Sequence, residues 1–189
     1  MSMLIKKKLL LAVLLLSACS HVSPRYNMSA TNVEELRQLT KNSTTKIGSG
    51  AFTATEAGKK SILCRAAGPI APPDNKTYDG FIHDALFDEL KLVNVYDENA
   101  SVKLSANLDY IDFDSNIGSG KWTIKMTLKA DNSEPFKVEN IYSFSTNFIA
   151  DIACEQVAQA LPAATQDFIQ KVFQAPEFKA LLAKNDLKK

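Results

Sequence analysis

The sequence has no excess of charge of either sign. It contains 22 Lys and Arg residues and 21 Asp and Glu residues, which gives a formal net charge of +1. Some of the positive charge belongs to Lys6–Lys8, so the rest of the chain is neutral or slightly acidic. Nucleic acids and anionic membrane surfaces attract proteins with a clear basic excess. We therefore predict that the protein has no nucleic-acid partner.

Side chains that carry catalysis are also scarce. The chain has two histidines, and only His83 lies outside the polar N-terminal segment. Asp79 and His83 have a spacing that could share a metal, but this spacing occurs in many helices. A Ser-His-Asp triad is compatible with the residue order, yet no serine lies in a strand–turn nucleophile signature. We expect His83 to face solvent or pair within its helix, and we predict a non-enzymatic protein without catalytic residues, metal or cofactor.

Two further groups resemble binding motifs only superficially. Asp109, Asp112 and Asp114 offer oxygen ligands, but they lack the spacing of a calcium loop. We expect Asp109 and Asp112 on opposite faces of a strand. The segment 118–120, Gly-Ser-Gly, precedes a strand and not a helix, so it is interpreted as a turn and not as a phosphate-binding loop.

The N-terminal apolar run is too short to span a membrane. Leu9–Leu16 falls well below the roughly 20 residues that a transmembrane helix needs. The run follows Lys6–Lys8 and precedes the small residues Ser17 and Ala18. This order of cationic, apolar and small residues is typical of a secretory signal. We predict a signal peptide at residues 1–18.

The four residues Leu16-Ser17-Ala18-Cys19 resemble the lipobox of bacterial lipoproteins. The resemblance implies that the thiol of Cys19 is diacylated and that the mature chain starts there. Ser20, in place of Asp, further implies sorting to the outer membrane, with the domain facing the periplasm. Two or three acyl chains would give stable attachment, whereas one holds only marginally. The alternatives are an ordinary cleaved signal or an uncleaved anchor, with Cys19 unmodified.

Two cysteines remain after Cys19. Cys64 and Cys154 form an even pair, and an exported protein enters an oxidising compartment. We predict a disulfide between them, which would join the front of the domain to its last long helix. Closing a loop of about 90 residues stabilises a fold by roughly 4 to 5 kcal/mol in the chain-entropy model. Two separately buried thiols are the alternative.

The N-terminal part of the mature chain is mainly polar. We predict a lipidated tether over residues 19–45, with one short helix from Val33 to Leu39 that Thr31 or Asn32 would cap. A periplasmic domain then covers residues 46–189. It starts with a strand from Lys46 to Phe52 and a short apolar run at residues 61–65.

Helical and strand periodicities organise the rest of the domain. Apolar residues at helical spacing predict a helix from Tyr78 to Val93, capped by Thr77, with the acidic residues Asp84, Asp88 and Glu89 mostly off its apolar face. Three alternating segments follow, around residues 102–110, 121–128 and 136–144, and predict an antiparallel meander. A long helix is predicted over residues 147–174, kinked or divided by Pro162, and a short one over 177–183.

This order predicts an α+β fold. We expect a two-layer sandwich, in which a mostly antiparallel sheet of about four strands carries two main helices on one face. The apolar face of the meander includes Tyr110, Trp122, Tyr142 and Phe144, which would pack in the core or line a groove. The opposite face is rich in lysine, at positions 103, 121, 125, 129 and 137.

Cys64-Arg65 with Gly68-Pro69, the helix from Phe81 to Lys91 and the meander resemble small uncharacterised bacterial lipoproteins. The element order is loosely similar to that of lipoproteins that assist envelope machines, including the one that plugs the lipopolysaccharide-export barrel. The predicted anchor, the small disulfide-tied domain and the lack of a catalytic constellation favour an accessory or scaffold in an envelope assembly or transport complex, with an envelope protein as partner. A carrier would instead hold an apolar ligand near Leu86, Trp122, Phe144 and Phe168, and a cell-wall hydrolase is the third hypothesis.

Overall fold

The computed structural model describes residues 20–131 and 133–183. The predicted signal peptide and Cys19 lie outside the described residues. Within those ranges, no helix combines the length and the apolar composition that crossing a bilayer requires.

The structure contains the elements that the periodicities predict, together with several that they do not. The helices are α1 (Ala30–Thr40), α2 (Tyr78–Leu92), α3 (Ala150–Gln174) and α4 (Pro176–Ala183), with a 3₁₀ turn at Pro73–Asn75. The strands are β1 (His21–Val22), β2 (Ile47–Ala54), β3 (Ile62–Cys64), β4 (Gly68–Ala71), β5 (Val102–Asp114), β6 (Gly120–Ala130) and β7 (Phe136–Phe144).

The main sheet has four strands in the order β2-β5-β6-β7. Strands β5, β6 and β7 form the predicted antiparallel meander. Strand β2 pairs with β5 in parallel, because the chain between them crosses over through α2 before it returns to the sheet. A second sheet has three strands in the order β1-β4-β3, with β1 parallel to β4 and β3 antiparallel to it.

The fold is therefore α+β, as predicted, but the expectation of a mostly antiparallel sheet is wrong. Both sheets are mixed, and the three-stranded sheet was not anticipated. Its strands span two to four residues, which is too short to show an alternating pattern. Pro69 also stands within β4, and proline argues against a strand when only the sequence is read.

One face of the main sheet is apolar and forms the core with the helices. Helix α2 packs against β2 and β5, and α3 packs against β6 and β7. The buried side chains of the meander are Leu104, Ala106, Leu108, Ile111, Trp122, Ile124, Met126, Leu128, Ala130, Phe136, Val138 and Asn140. The predicted lysine positions alternate with these residues and lie on the other face.

A β-bulge corrects the predicted faces of β5. The register shifts between Leu108 and Tyr110, so one extra residue moves the following side chains to the opposite faces. Ile111 is buried and Tyr110 is 42% exposed. The prediction that Tyr110 shares the apolar face is therefore wrong. The bulge also places Asp109 and Asp112 on the same outer face, where their partners on β6 are Thr127 and Thr123.

The N-terminal segment is not a free tether. His21 and Ser23 are buried, Val33 and Leu36 of α1 join the core, and Thr45 donates a hydrogen bond to the carbonyl of Leu182 at 3.1 Å. The two apolar residues share one face of α1, which packs against α2, α3 and α4. The described residues from 21 to 45 therefore pack on the domain that the sequence predicts to begin at residue 46.

The helix ends show which local sequence signals predict a helix cap or a helix break correctly. Thr77 caps α2 as predicted and accepts a hydrogen bond from the amide of Gly80 at 3.2 Å. Helix α1 is capped by Ser29 and not by Thr31 or Asn32. Helix α3 runs without a break across Pro162, so the predicted division does not occur. The neighbouring turns of α3 are deeply buried, and their packing offsets the hydrogen bond that proline removes.

Candidate functional site

The two cysteines outside the predicted lipobox form a disulfide. Cys64 on β3 and Cys154 on α3 are joined with an S–S distance of 2.02 Å and a Cα–Cα distance of 5.9 Å. Both residues are fully buried. The bond ties the small sheet to the first turns of α3, which is the connection that the sequence predicts.

The chain enters the domain beside this disulfide. His21 is 7% exposed, and its ring nitrogens lie 3.5 Å from Asp151 and 3.3 Å from Glu155, both in the first turns of α3. Hydrogen bonds from Gln159 and from His21 hold the pKa of Glu155 below its usual value. Cys19 is two residues from His21, and two residues of extended chain span at most about 7 Å. The predicted acylation site is therefore covalently confined to this end of the molecule.

Arg65 joins three segments of the chain by hydrogen bonds at the same end of the molecule. Its guanidinium donates to the hydroxyl of Ser115 and to the carbonyl of Phe148, both at 3.2 Å, and also to the carbonyl of Ser115. These contacts join the end of β3, the β5–β6 turn and the segment that precedes α3. The only basic neighbour of Cys64 in the sequence is therefore occupied with backbone carbonyls.

His83 lies in a chain of hydrogen bonds that links α2 to β2. Its Nε2 atom is 2.9 Å from the Ser49 hydroxyl, and its Nδ1 atom is 2.8 Å from Asp84 Oδ1. Lys76 donates to the other oxygen of Asp84 at 2.5 Å. Partial burial acts to raise the pKa of Asp84, but the bonds from Lys76 and His83 outweigh it and hold the pKa below its usual value. Sequence reasoning missed Ser49, because nothing local indicates that β2 lies against α2.

The order of these contacts is that of a Ser-His-carboxylate triad. A hydrolase also needs a cleft at the nucleophile and hydrogen-bond donors for the developing oxyanion. The cleft next to the network has a volume of about 210 Å³ and is lined by Lys76, Asp84 and Asp88, but not by Ser49. The imidazole packs against Phe52 and Phe87, with ring centroids 4.7 and 4.8 Å away. The network therefore connects α2 to β2 and is enclosed on one side by aromatic rings.

Asp79 and His83 have a spacing that could share a metal, but the sequence predicts no metal site there. Across residues 20–131 and 133–183, no cluster of three His, Cys, Asp or Glu side chains could hold a metal ion. The three aspartates of β5 have local partners: Asp109 accepts from Thr127 at 2.6 Å and Asp112 from Tyr110 at 3.3 Å, and Asp114 accepts from the amide of Asn116 at 2.8 Å.

Glu89 is a buried carboxyl group that the helical pattern placed off the apolar face of α2. It has no exposed surface. Its Oε1 atom accepts from the Tyr26 hydroxyl, from the amide of Ser29 at 3.0 Å and from Asn32 at 3.2 Å, whereas its Oε2 atom is buried without a hydrogen-bond partner. Burial raises the pKa of Glu89 despite these donors. The group fixes the N-terminal segment to α2.

The residues predicted to line a carrier groove are packed in the core. Trp122, Leu86 and Phe168 are fully buried in one continuous cluster, and Phe144 is partly buried and packs against it. The Trp122 indole donates to the carbonyl of Val157 at 3.0 Å, and its ring lies 5.0 Å from that of Phe113. Such contacts fill the space between sheet and helices and leave the carrier hypothesis without a supporting observation.

Comparison with known proteins gives the fold and nothing further. No family model matches the sequence, and no curated protein matches it. The structure is similar to the crystal structure of protein XCC0632 from Xanthomonas campestris, of family DUF330, with a TM-score of 0.51 and 8% identity. The match covers 82% of this chain and 95% of that chain. At this identity the two proteins share an architecture, which by itself does not define an activity.

Proposed function

We propose that the protein is a non-enzymatic outer-membrane lipoprotein, acylated at Cys19, whose periplasmic domain is an accessory or scaffold in an envelope assembly or transport complex. The burial of His21 carries this proposal. An acylated Cys19 two residues away would hold the domain directly at the bilayer surface, without the freedom of a long tether. A domain held in this way presents a constant surface to other membrane components and raises its effective concentration near them.

The uncovered face of the main sheet is the surface that such a scaffold would present. It carries lysines and carboxylates side by side, including the Lys125–Glu139 ion pair at 2.9 Å. Tyr110 and Ile141 are exposed among them. Exposed ion pairs contribute little stability to a fold, whereas aromatic and apolar side chains within a polar surface are typical of protein contacts. This face therefore supports a protein partner better than a nucleic acid.

The test is the recovery of partners from native membranes. The full-length chain, with an affinity tag at its C-terminus, would be cross-linked and purified beside a Cys19→Ser variant. A Tyr110→Glu, Ile141→Glu variant alters the outer sheet face. We expect one discrete set of envelope proteins with the unsubstituted chain, which is lost in both variants. Recovery of no protein above background from any sample would overturn the scaffold proposal.

The Ser49–His83–Asp84 contacts support a second candidate function, a hydrolase acting on envelope material. A fluorophosphonate probe reacts with activated serines and distinguishes the two functions. The scaffold proposal predicts no labelling of the full-length protein. Labelling that disappears in Ser49→Ala and persists in Ser119→Ala, a matched change in an exposed turn, would establish the enzyme instead.

A further inference from the structure

We infer that the end of the domain next to the disulfide rests on the phospholipid surface, with its exposed apolar side chains at the level of the head groups. We call this end the anchor edge. It is formed by Val22, Leu63, Ile117, Phe148, Ile149 and Ile152. The inference rests on the proposed acylation of Cys19 and adds the orientation of the domain and the nature of the surface that it contacts.

The first observation is an uneven distribution of exposed apolar side chains. Phe148 and Leu63 are each 71% exposed, and Ile117 is 73% exposed. Most of the large exposed hydrophobic residues in the described part of the chain belong to the anchor edge; of the remainder, Tyr110 and Ile141 lie on the outer sheet face, and Met28 and Leu92 lie next to α1 and at the end of α2. Scattered apolar residues are normal on a protein surface, whereas a contiguous group marks a contact with another molecule or a membrane.

The second observation is that specific bonds bring these residues together. Arg65, two residues after Leu63, donates to the carbonyl of Phe148 and to Ser115. Thr146 donates to the carbonyl of Asn116, next to Ile117. The disulfide joins β3 to α3 just after Ile152. These links gather the end of β3, the β5–β6 turn and the start of α3 at one place.

The third observation is the point at which the chain enters the domain. Strand β1 contains Val22, and its His21 contacts Asp151 and Glu155 on either side of Ile152 along α3. Cys19 can lie no more than about 7 Å from His21. Acyl chains on Cys19 would therefore enter the bilayer beside the anchor edge.

The charges at the anchor edge indicate the type of lipid. Asp114, Asp151 and Glu155 lie there, and the guanidinium of Arg65 is engaged with carbonyl oxygens. Lys121 stands opposite Asp114 in the register of β5 and β6, so the described residues of this surface offer no cluster of basic side chains for anionic head groups. We therefore infer contact with zwitterionic phospholipid through apolar side chains. The contact should persist between about 0.1 and 1 M salt, over which screening of exposed charges becomes nearly complete.

Quenching of tryptophan by brominated phospholipid tests the inference. The acylated full-length protein is reconstituted in zwitterionic vesicles whose acyl chains carry bromine near the head group. Phe148→Trp and Leu63→Trp place probes on two different elements of the anchor edge, and Leu92→Trp, at a half-exposed position at the end of α2 and at the opposite end of the main sheet, is the matched control. Trp122 is fully buried. The unsubstituted protein, measured in the same vesicles, gives the emission of Trp122 alone, which is subtracted from that of each variant. Thermal unfolding of each variant checks that it folds.

We expect the emission added at positions 148 and 63 to be strongly quenched, with no dependence on salt, and the emission added at position 92 to be unaffected. Equal and weak quenching at all three positions in acylated, vesicle-bound protein would overturn the anchor-edge inference and leave the proposed anchoring intact. An intact mass without acyl chains would overturn the anchoring itself, and the inference with it.

A protein partner is the other occupant that the anchor edge could have. It would shield the probes at positions 148 and 63 from a water-soluble quencher in native membranes but not in pure lipid vesicles. Shielding in both preparations supports contact with lipid. Shielding in native membranes alone would overturn that contact and assign the anchor edge to a protein interface.

Discussion

Asn32 on α1 donates one hydrogen of its side-chain amide to Glu89 at 3.2 Å and the other to the carbonyl of Gln166 at 3.0 Å. This one residue joins α1 to both long helices, which lie on the apolar face of the main sheet. The segment predicted as a tether is therefore part of the folded domain, and its attachment is polar as well as apolar.

Glu89 should make stability depend on pH. Burial raises the pKa of Glu89 in the fold, so its contribution to stability is fully present below the ordinary pKa of about 4.3 and is lost as pH rises through the folded pKa. As the pH falls from 7 to 5, the unfolding free energy of the unsubstituted protein should rise relative to that of the Glu89→Gln variant. Denaturant titrations of both proteins measure this difference. Identical pH profiles would contradict the assignment, and Asp88→Asn, an exposed neighbour on the same helix, is the matched control.

Leu36 should contribute to stability as a core residue and not as part of a tether. It has no exposed surface, and truncation of a buried leucine to alanine costs about 2 to 5 kcal/mol. We expect Leu36→Ala to lower the unfolding free energy by an amount in this range. Leu92→Ala, at a half-exposed position on α2, should change it by less than about 0.5 kcal/mol. Equal effects of the two changes would restore the tether interpretation.

Trp122 should behave as a core residue and not as the wall of a ligand groove. The Trp122→Phe variant loses the hydrogen bond to Val157 and leaves unfilled volume, which together should cost about 1 to 3 kcal/mol. Tyr110→Phe, on the outer face, should have little effect. The measurement is chemical denaturation followed by circular dichroism. If the Trp122 variant were as stable as the unsubstituted protein, a loosely packed groove would become the better description.

The disulfide should be a major source of stability. A bond that closes a sequence separation of 90 residues stabilises the fold by up to about 4 to 5 kcal/mol in the chain-entropy model. The Cys64→Ala, Cys154→Ala double variant should therefore unfold at a much lower denaturant concentration than the oxidised protein. A reducing agent should reproduce the loss in the unsubstituted protein and have no effect on the variant. An unchanged transition midpoint would show that the packing of β3 against α3 suffices without the bond.

Local sequence patterns were enough to predict the elements that have a clear periodicity or a capping residue of their own. The meander alternates clearly over three successive segments, and α2 has both a helical apolar stripe and a capping threonine at residue 77. Neither prediction required knowledge of distant residues. The prediction for β5 failed beyond Leu108, because a bulge adds a residue without a sequence signature, and Tyr110 moved to the outer face as a result.

The contacts that the sequence did not predict join segments far apart in the chain. Strand β1 has two residues and pairs with β4, so it has no pattern of its own. Ser49 and His83 meet only because β2 pairs in parallel with β5 and brings its inner face to α2. Glu89 is buried because α1 and the segment before it cover this side chain. The sequence did not predict that contact, because the segment is mainly polar and only Val33 and Leu36 of α1 join the core.

The native mass spectrum of the full-length protein, released gently from its own membrane, is the most direct test of the proposed function. We predict a mature chain that begins at Cys19, carries acyl chains and its disulfide, and is accompanied by a discrete additional protein mass. A chain without acyl groups, observed as a bare monomer, would contradict both the anchoring and the scaffold role.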